Sequence, residues 1–343
     1  MTSSKHPEGR LEEIAPSIYA YVQAGSWGLS NAGLIADRDG SLLVDTLYDV
    51  DLTRTMLGQM RRATPFAERL TTVVNTHANG DHCWGNQLVK GARIVASRAA
   101  AAEMKELPPR LMAVIVSAAR LIDRGGPGAK RALAFLGRLG VPRVAALADA
   151  ANYIVRRFGS FDFKAVELTL PTETFSGAMT LDVGDTRVEL VEVGPAHTKG
   201  DVLVHLPAAR VAFTGDILFI GAHPIIWEGP VENWIRACDR LLALDVDVIV
   251  PGHGPLTNKD GVRRTREYWQ RLVDVTRKGQ AAGASTDEIV RELAMEAFDG
   301  WTEKSRIAVN IDTIYRDLCG DRTAPDPLVL LAKMARLETA GMS

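Results

Sequence analysis

The chain has 343 residues, enough for about two domains and for a full hydrophobic core without disulfide bonds. Its 46% hydrophobic and 24% charged residues exclude a disordered or collagen-like protein, and a net charge of −2 with a pI near 6.4 argues against a nucleic-acid-binding surface. Three scattered cysteines, a polar N-terminus and the lack of a long apolar stretch predict a cytoplasmic protein that does not bind a membrane.

The N-terminal part of the chain alternates short apolar runs with glycine-containing turns, which is typical of strands. A helix at 51–63 interrupts them. The predicted strands lie at 17–25, 31–37, 41–46, 70–76 and 92–97.

The character of the sequence changes in the segment 98–158, where Ala, Leu and Arg dominate and strand signals vanish. Apolar residues recur there at helical spacing, as in Leu111, Ile115, Ala118 and Ile122. Two further helices are predicted at 129–139 and 143–157. The segment therefore resembles a helical insertion between two strand-rich parts.

Strands resume with TETFSG and MTLDVG, followed by apolar runs at 187–193, 201–206, 210–215 and 245–250. A helix is predicted at 231–244, and everything beyond Pro255 looks helical. The clearest helix start there is the capping box of Ser285 and Glu288, before a run ending near Phe298. Alternating strands and helices predict an α/β protein of packed layers, with helices outside the sheets.

Four of these strands end in residues that can bind a metal ion. The strand at 70–76 leads into His77, Asn79, Asp81 and His82, and the other three lead into His197, Asp216 and His253. Loops held at strand ends by a rigid scaffold commonly carry catalytic groups. Imidazole and carboxylate together suit zinc, iron or manganese. Each histidine alone is more simply a surface or helix-cap residue, but four of the chain's seven occupy these loops, which favours one shared metal site.

The order and spacing of these residues resemble the metallo-β-lactamase-fold superfamily, whose pattern is HxHxDH, then H, D and H. The resemblance covers about 11–256. It implies an αββα sandwich with one or two metal ions, Zn²⁺ or else Fe or Mn, at the edge between the sheets. This catalytic domain would contain the insertion at 98–158, and the residues 257–343 would form a C-terminal helical extension packed on it.

The resemblance also implies the role of each residue in the site. His77 and His197 would bind the first metal, Asp81, His82 and His253 the second, and Asp216 would bridge them. An aspartate at position 216 is closer to the glyoxalase II and lactonase branches than to the zinc β-lactamases. Asp45, which closes the strand SLLVD within 41–46, matches an aspartate that orients the ligands from behind.

Asn79 departs from the family pattern, because it stands where the second histidine of HxHxDH is expected. A neutral amide oxygen is a poorer zinc ligand than imidazole. We therefore expect the first half of the site to be weaker, to take another metal, or to use Asn79 through its oxygen, whereas the second half keeps its protein ligands.

The expected reaction is hydrolysis of a small acyl substrate, an ester, lactone, thioester or amide, by water whose pKa the metal lowers from 15.7 to about 7. Asp81 would orient or deprotonate that water, and His223, on a loop after Asp216, is a second candidate catalytic residue. One alternative is an iron oxygenase of the persulfide dioxygenase type, in which His77, His197 and Asp216 would bind the iron ion. Another is a binding or cyclisation protein with a degraded site.

Several neighbouring features have two interpretations each. Cys83 and Trp84 either pack in the core or touch the site, and Lys199 either meets an anionic substrate or is solvated. The insertion is either a lid over an apolar pocket or a segment whose apolar faces pack together or form a dimer interface, so a homodimer is one expectation. The helical tail, which contains Trp269 and Trp301, has the same two interpretations.

Overall fold

The structure, a computed structural model, describes residues 6–25, 27–138, 142–293, 296–321, 323 and 325–340; the side chains of 130, 134–138, 142 and 297 are not described. Within these residues the strands form two sheets, one of seven strands in chain order and one of five. The first sheet contains β1 (Arg10–Ala15), β2 (Ile18–Val22), β3 (Ala32–Ile35), β4 (Ser41–Val44), β5 (Leu70–Val74), β6 (Arg93–Ser97) and β7 (Glu173–Phe175). The second contains β8 (Ala178–Val183), β9 (Thr186–Glu192), β10 (Val202–Leu206), β11 (Val211–Phe213) and β12 (Val248–Val250).

The two sheets pack face to face because their apolar residues alternate with a period of two. In β4, Leu42 and Val44 point into the core between the sheets, whereas Leu43 points to the outer core beneath the helices. Gly33 in β3 allows the closest approach, since a Cβ there would lie 2.1 Å from the ring of Phe213 in the opposite sheet. The predicted α/β sandwich is confirmed.

The helices lie outside the sheets. They are α1 (Val50–Ala63), α2 (Gly80–Cys83), α3 (Arg98–Glu103), α4 (Pro109–Arg124), α5 (Gly126–Arg138), α6 (Pro142–Phe158), α7 (Val231–Ala243), α8 (Lys259–Ala281), α9 (Thr286–Glu292), α10 (Ile307–Leu318) and α11 (Pro327–Thr339). None of the described helices is long and apolar enough to cross a membrane.

The helical segment 98–158 contains α3 to α6, and α6 packs against α4, α5 and α11. The tail is therefore in direct contact with the insertion. Glu303 joins three parts of the chain, because its carboxylate accepts hydrogen bonds from Nε1 of Trp27 at 2.7 Å and from Arg157 of α6 at 3.0 Å. On the outer side of α4, Val114 and Leu121 remain exposed, and a homodimer stays a prediction.

Two local predictions differ from the structure. The strand β1 is not predicted, because its sequence RLEEIA lacks a clear apolar alternation. In the structure none of its residues is buried. The capping box of Ser285 and Glu288 is present, but α9 ends at Glu292 rather than near Phe298. A 3-10 turn, Glu296–Phe298, lies where the helix was expected to end.

Candidate metal centre

The strand directions explain why distant residues meet at one edge of the sandwich. β4 and β5 are parallel in the first sheet, and β9, β11 and β12 run in one direction in the second. His77, Asp216 and His253 each follow shortly after the end of such a strand. The sheets are joined at this edge by a hydrogen bond from Val202 N to Thr76 O at 2.8 Å.

Asp216 lies at the centre of the site, against four histidine rings. Its Oδ2 is 3.2 Å from Nε2 of His197 and 3.3 Å from Nε2 of His253. Nε2 of His82 is 3.0 Å from Oδ1, and Nε2 of His77 is 3.8 Å from Oδ2. All five side chains are buried. One carboxylate thus faces the Nε2 atoms of four histidines that come from three separate segments of the chain.

Each histidine is oriented by a hydrogen bond at its other ring nitrogen, the arrangement common in metal sites. Nδ1 of His82 lies 2.9 Å from Oδ2 of Asp45, and Nδ1 of His253 lies 3.1 Å from Leu29 O. Nδ1 of His197 lies 2.7 Å from Ile225 O. A backbone carbonyl only accepts, so in His197 and His253 the proton is on Nδ1 and Nε2 is free to bind a metal.

Asp45 supports the site from behind, as the resemblance implies. It sits in the left-handed region with φ 61°. Besides His82, its carboxylate accepts hydrogen bonds from the backbone N and the Oγ1 of Thr76, both at 2.7 Å. Burial raises the pKa of Asp45, while the His82 ring opposes that rise. Asp45 therefore fixes the loop that carries His77 as well as the His82 ring.

Burial and the neighbouring charges shift the pKa values of the site residues in opposite directions. Burial alone would raise the pKa of Asp216, but the four surrounding histidines hold it well below its usual value. Burial would lower the pKa of His82, yet Asp216 and Asp45 hold it well above its usual range. Burial and the neighbouring rings lower the pKa of His77. Asp216 is thus an anion, and His77 is a neutral ligand candidate.

Asn79 lies in the position that the family pattern gives to a ligand, and it contacts another ligand candidate. Its Nδ2 is 2.9 Å from Nε2 of His197. Because Nδ1 of His197 carries the proton, the Asn79 amide donates to the lone pair that would otherwise bind a metal. For Asn79 to offer its oxygen, the amide must turn over.

The residues fit a divalent metal ion. Two groups have ligand atoms within 4.8 Å of one another: His77, His82 and Asp216, and Asp81, His82 and His253. Nε2 of His77 is buried without a hydrogen-bond partner in the described part of the chain, as expected of an atom meant for a metal. Imidazole and carboxylate ligands suit zinc, and also iron or manganese.

Asp81 lies at the edge of the cluster and is the most accessible of these side chains. Its side chain is 13% exposed, and its Oδ2 is 3.4 Å from Nε2 of His253. Its backbone carbonyl accepts a hydrogen bond from Oγ of Ser30. Asp81 can therefore meet both the buried cluster and solvent.

His223, the second residue predicted to be catalytic, lies in a different environment. Its ring packs against Tyr268 and Trp301, with Nδ1 3.3 Å from the Tyr268 hydroxyl. Burial lowers its pKa to about 4. Within the described residues, no hydrogen bond or ion pair joins its side chain to the metal-ligand candidates.

Other singled-out residues have ordinary contacts. Cys83 is buried and its thiol donates to Ala78 O, and burial raises its pKa. Trp84 packs on Tyr48, with ring centroids 5.1 Å apart. Nζ of Lys199 forms an ion pair with Glu106 at 2.6 Å.

Two residues beside the site were not predicted from the sequence. Phe219 stacks on His253, with ring centroids 4.9 Å apart and planes 8° from parallel. Trp234 of α7 packs edge-on against His197, and its Nε1 donates to Ile217 O at 2.9 Å. Phe219 could have been suspected from its place three residues after Asp216, whereas nothing local marks Trp234.

Relatives in other organisms support an enzyme of this kind. A linear primary-alkylsulfatase from Pseudomonas sp. is 24% identical over an alignment of 331 residues that covers 89% of this chain and 59% of that protein. A hydroxyacylglutathione hydrolase from Brucella anthropi is 28% identical over an alignment of 179 residues that covers 48% of this chain and 64% of that enzyme. The activities for which both relatives are named are hydrolytic, in agreement with the predicted enzyme class. The chain spans only about three fifths of each relative's length.

The fold itself is shared with a solved structure, the stereoselective inverting sec-alkylsulfatase of Pseudomonas sp. The two superpose with a TM-score of 0.63 at 17% identity, over 91% of this chain and 50% of the other. The sequence model of the metallo-β-lactamase superfamily matches residues 25–253, a range that includes all the metal-ligand candidates. With this match and the αββα sandwich, the chain belongs to the metallo-β-lactamase superfamily.

Proposed function

We propose that the protein is a metal-dependent hydrolase of a small acyl substrate, an ester, lactone, thioester or amide. The observation that carries the proposal is the position of Asp216, whose carboxylate is shared by four histidines. The alkylsulfatase and hydroxyacylglutathione hydrolase relatives support hydrolysis. Their differing substrates do not select one for this chain.

The proposed ligands form two halves that meet at Asp216. The first half consists of His77 and His197, with Asn79 beside them. The second half consists of Asp81, His82 and His253. A divalent cation bound there would polarise the substrate and lower the pKa of a water molecule, so that hydrolysis proceeds at neutral pH.

The chain's own residues have separate tasks in this proposal. Asp81 accepts a proton from the attacking water, because it is the ligand carboxylate that solvent reaches. Asp45 keeps Nε2 of His82 turned towards the site by holding Nδ1. Asp216 stays anionic and balances the charge of the cluster. The predicted catalytic role of His223 stays a prediction, because its side chain contacts Tyr268 and Trp301 and not the ligand candidates.

The test is to load the purified protein with zinc, manganese or, under anaerobic conditions, Fe²⁺, and to measure metal content and turnover of a panel of esters, lactones, thioesters and amides. We expect hydrolysis without O₂ uptake, lost in His82→Ala. The matched control is His205→Gln, because His205 lies in β10 and pairs with Glu189 outside the site.

Two outcomes would contradict the proposal. O₂ uptake that depends on iron would favour the oxygenase alternative. Metal-loaded protein that turns over no member of the panel would favour the binding or cyclisation alternative.

A further inference from the structure

Arg306 is a buried charge next to the candidate metal centre. It ends the 3-10 turn Lys304–Arg306 in the tail, and the whole residue is only 2% exposed. Its guanidinium lies over two aromatic rings, 4.5 Å from the centroid of Trp27 and 5.1 Å from that of Phe219. Phe219 in turn stacks on His253. One aromatic ring therefore links the guanidinium to a metal-ligand candidate.

The hydrogen-bonding capacity of Arg306 is largely unused. A guanidinium has five N–H groups. Within the described residues only Nη1 donates a hydrogen bond, to His223 O at 2.9 Å. Nε is buried without a partner, and no described carboxylate forms an ion pair with the side chain. A buried arginine in this condition is costly unless an anion meets it.

A neighbouring arginine shows what a structural role looks like in the same part of the molecule. Arg157 of α6 pairs with Glu303 at 3.0 Å and with Glu338 at 2.7 Å. Those two carboxylates raise the pKa of Arg157 despite its burial. Burial lowers the pKa of Arg306, and the charges of Glu303 and Asp216 only partly oppose it. Arg157 holds the tail on the insertion through two direct ion pairs, whereas no described carboxylate pairs directly with Arg306.

We propose that Arg306 binds an anionic group of the substrate, a carboxylate or a sulfate, while the bond to be hydrolysed lies at the metal centre. The inference rests on the proposed function. The guanidinium lies over the rings of Trp27 and Phe219, and its Nη1 already donates to His223 O, so the unpaired Nε is the donor that we assign to the anion. The planar donors of arginine match two oxygens of such an anion.

The position of Phe219 narrows the substrate class further. Its ring lies between the guanidinium and His253, so the anionic group and the scissile bond belong to different parts of the substrate. The substrate is therefore an acyl ester or thioester that carries a separate negative charge, and a neutral ester of the same length is a poorer one.

The kinetic test uses two probes of similar length with the metal-loaded enzyme: p-nitrophenyl butyrate, which is neutral, and the p-nitrophenyl monoester of succinic acid, which carries a carboxylate. In Arg306→Gln we expect kcat/KM for the anionic ester to fall roughly tenfold to a hundredfold, mainly through KM, because a charge-assisted hydrogen bond is lost. The neutral ester should change by less than about threefold. Arg306→Lys, which keeps the charge but not the planar donors, should lie between.

Arg157→Gln is the matched control, since it removes a paired guanidinium from the same region. It should change the two esters by the same factor. If Arg306→Gln also lowers both esters equally, or changes neither, Arg306 is a structural residue and the proposal is overturned. Arg306→Lys supplies the comparison if Arg306→Gln does not fold.

A binding measurement separates this proposal from the proposed function. If the wild-type enzyme hydrolyses neither ester, the panel for the proposed function decides that question alone. The melting temperature is then measured with sodium acetate or sodium sulfate, against sodium chloride at equal ionic strength. Acetate or sulfate should raise the melting temperature of the wild type and of Arg157→Gln by more than that of Arg306→Gln. The anion that gives the larger rise shows whether the site prefers a carboxylate or a sulfate. Equal rises in all three, or none, overturn the role of Arg306.

Discussion

The two proposed halves of the candidate metal centre share Asp216 but differ in how their residues are held. In the second half, His82 is fixed by the carboxylate of Asp45, and Asp81 adds a negative charge. In the first half, Asn79 replaces the expected imidazole and occupies the lone pair of His197 with its amide. A metal entering the first half must displace that hydrogen bond. We therefore expect Asn79 to weaken the first half in two ways, by removing a ligand and by supplying a competitor for the lone pair of His197.

The largest effect is expected from the residue that both halves share. Asp216→Asn removes the negative charge that faces four histidines, so metal affinity should fall at least ~100-fold in both halves. Metal analysis after dialysis and hydrolysis of the substrate panel measure this, with His205→Gln as the control. Loss from one half alone would show that Asp216 does not bridge them.

Asp45→Asn should weaken metal binding in the two halves by different factors. It takes the carboxylate from Nδ1 of His82, and the second half should lose roughly 10–100-fold in metal affinity. Competition with a chelator, followed through both binding steps, measures the two halves separately. Asp51→Asn on α1 is the control, because Asp51 is exposed and pairs only with Arg54 among the described residues. Equal weakening of both steps would mean that the contacts of Asp45 with Thr76 matter as much as its contact with His82.

Asn79→His should make the metal affinities of the two halves more alike. The new imidazole restores the family pattern and ends the amide contact with His197, so the weaker binding step should strengthen by about tenfold or more. The same chelator competition measures the change. An unchanged weaker step would show that our account of Asn79 is wrong.

The smallest effect concerns Glu103 of α3, which accepts a hydrogen bond from the backbone N of Lys199, two residues after His197. Burial raises the pKa of Glu103 from 4.5 to about 7, although Lys199 opposes the shift. The folded state therefore holds this proton more tightly than the unfolded state. The stabilisation that comes from protonated Glu103 is complete below the pKa that Glu103 has in the unfolded state. It is lost as the pH rises through the folded-state pKa of about 7.

Glu103→Gln removes this pH dependence. At about pH 8 its melting temperature should exceed that of the wild type by about 2–4 °C, and the difference should shrink towards about pH 5. Glu106→Gln is the control, because Glu106 is exposed in the same region. A constant difference at both pH values would rule out the titration of Glu103 as its cause.

The sequence was sufficient for the sandwich and for the residues that converge on Asp216. Each of those residues follows an apolar strand, and parallel strand ends meet at one edge whatever the rest of the chain does. The contact of Asn79 with His197 was not foreseeable, since it joins residues 118 positions apart. Arg306 was missed for a similar reason. Its burial depends on how the tail packs on Trp27 and Phe219, and its own neighbours in the sequence are ordinary for a helix start.

The contact between Trp234 and Trp269 bears on whether the catalytic part of the chain is separable. The family match stops at residue 253. Beyond it, the ring of Trp269 in α8 packs on that of Trp234, with ring centroids 4.5 Å apart, and both indoles are completely buried. Trp234 is also the residue that packs against His197. A chain cut at residue 256 would leave one indole facing water directly behind a metal ligand. We therefore expect that the family boundary at residue 253 does not mark an independently folding unit, and that a tail exchanged between relatives must supply a partner for Trp234.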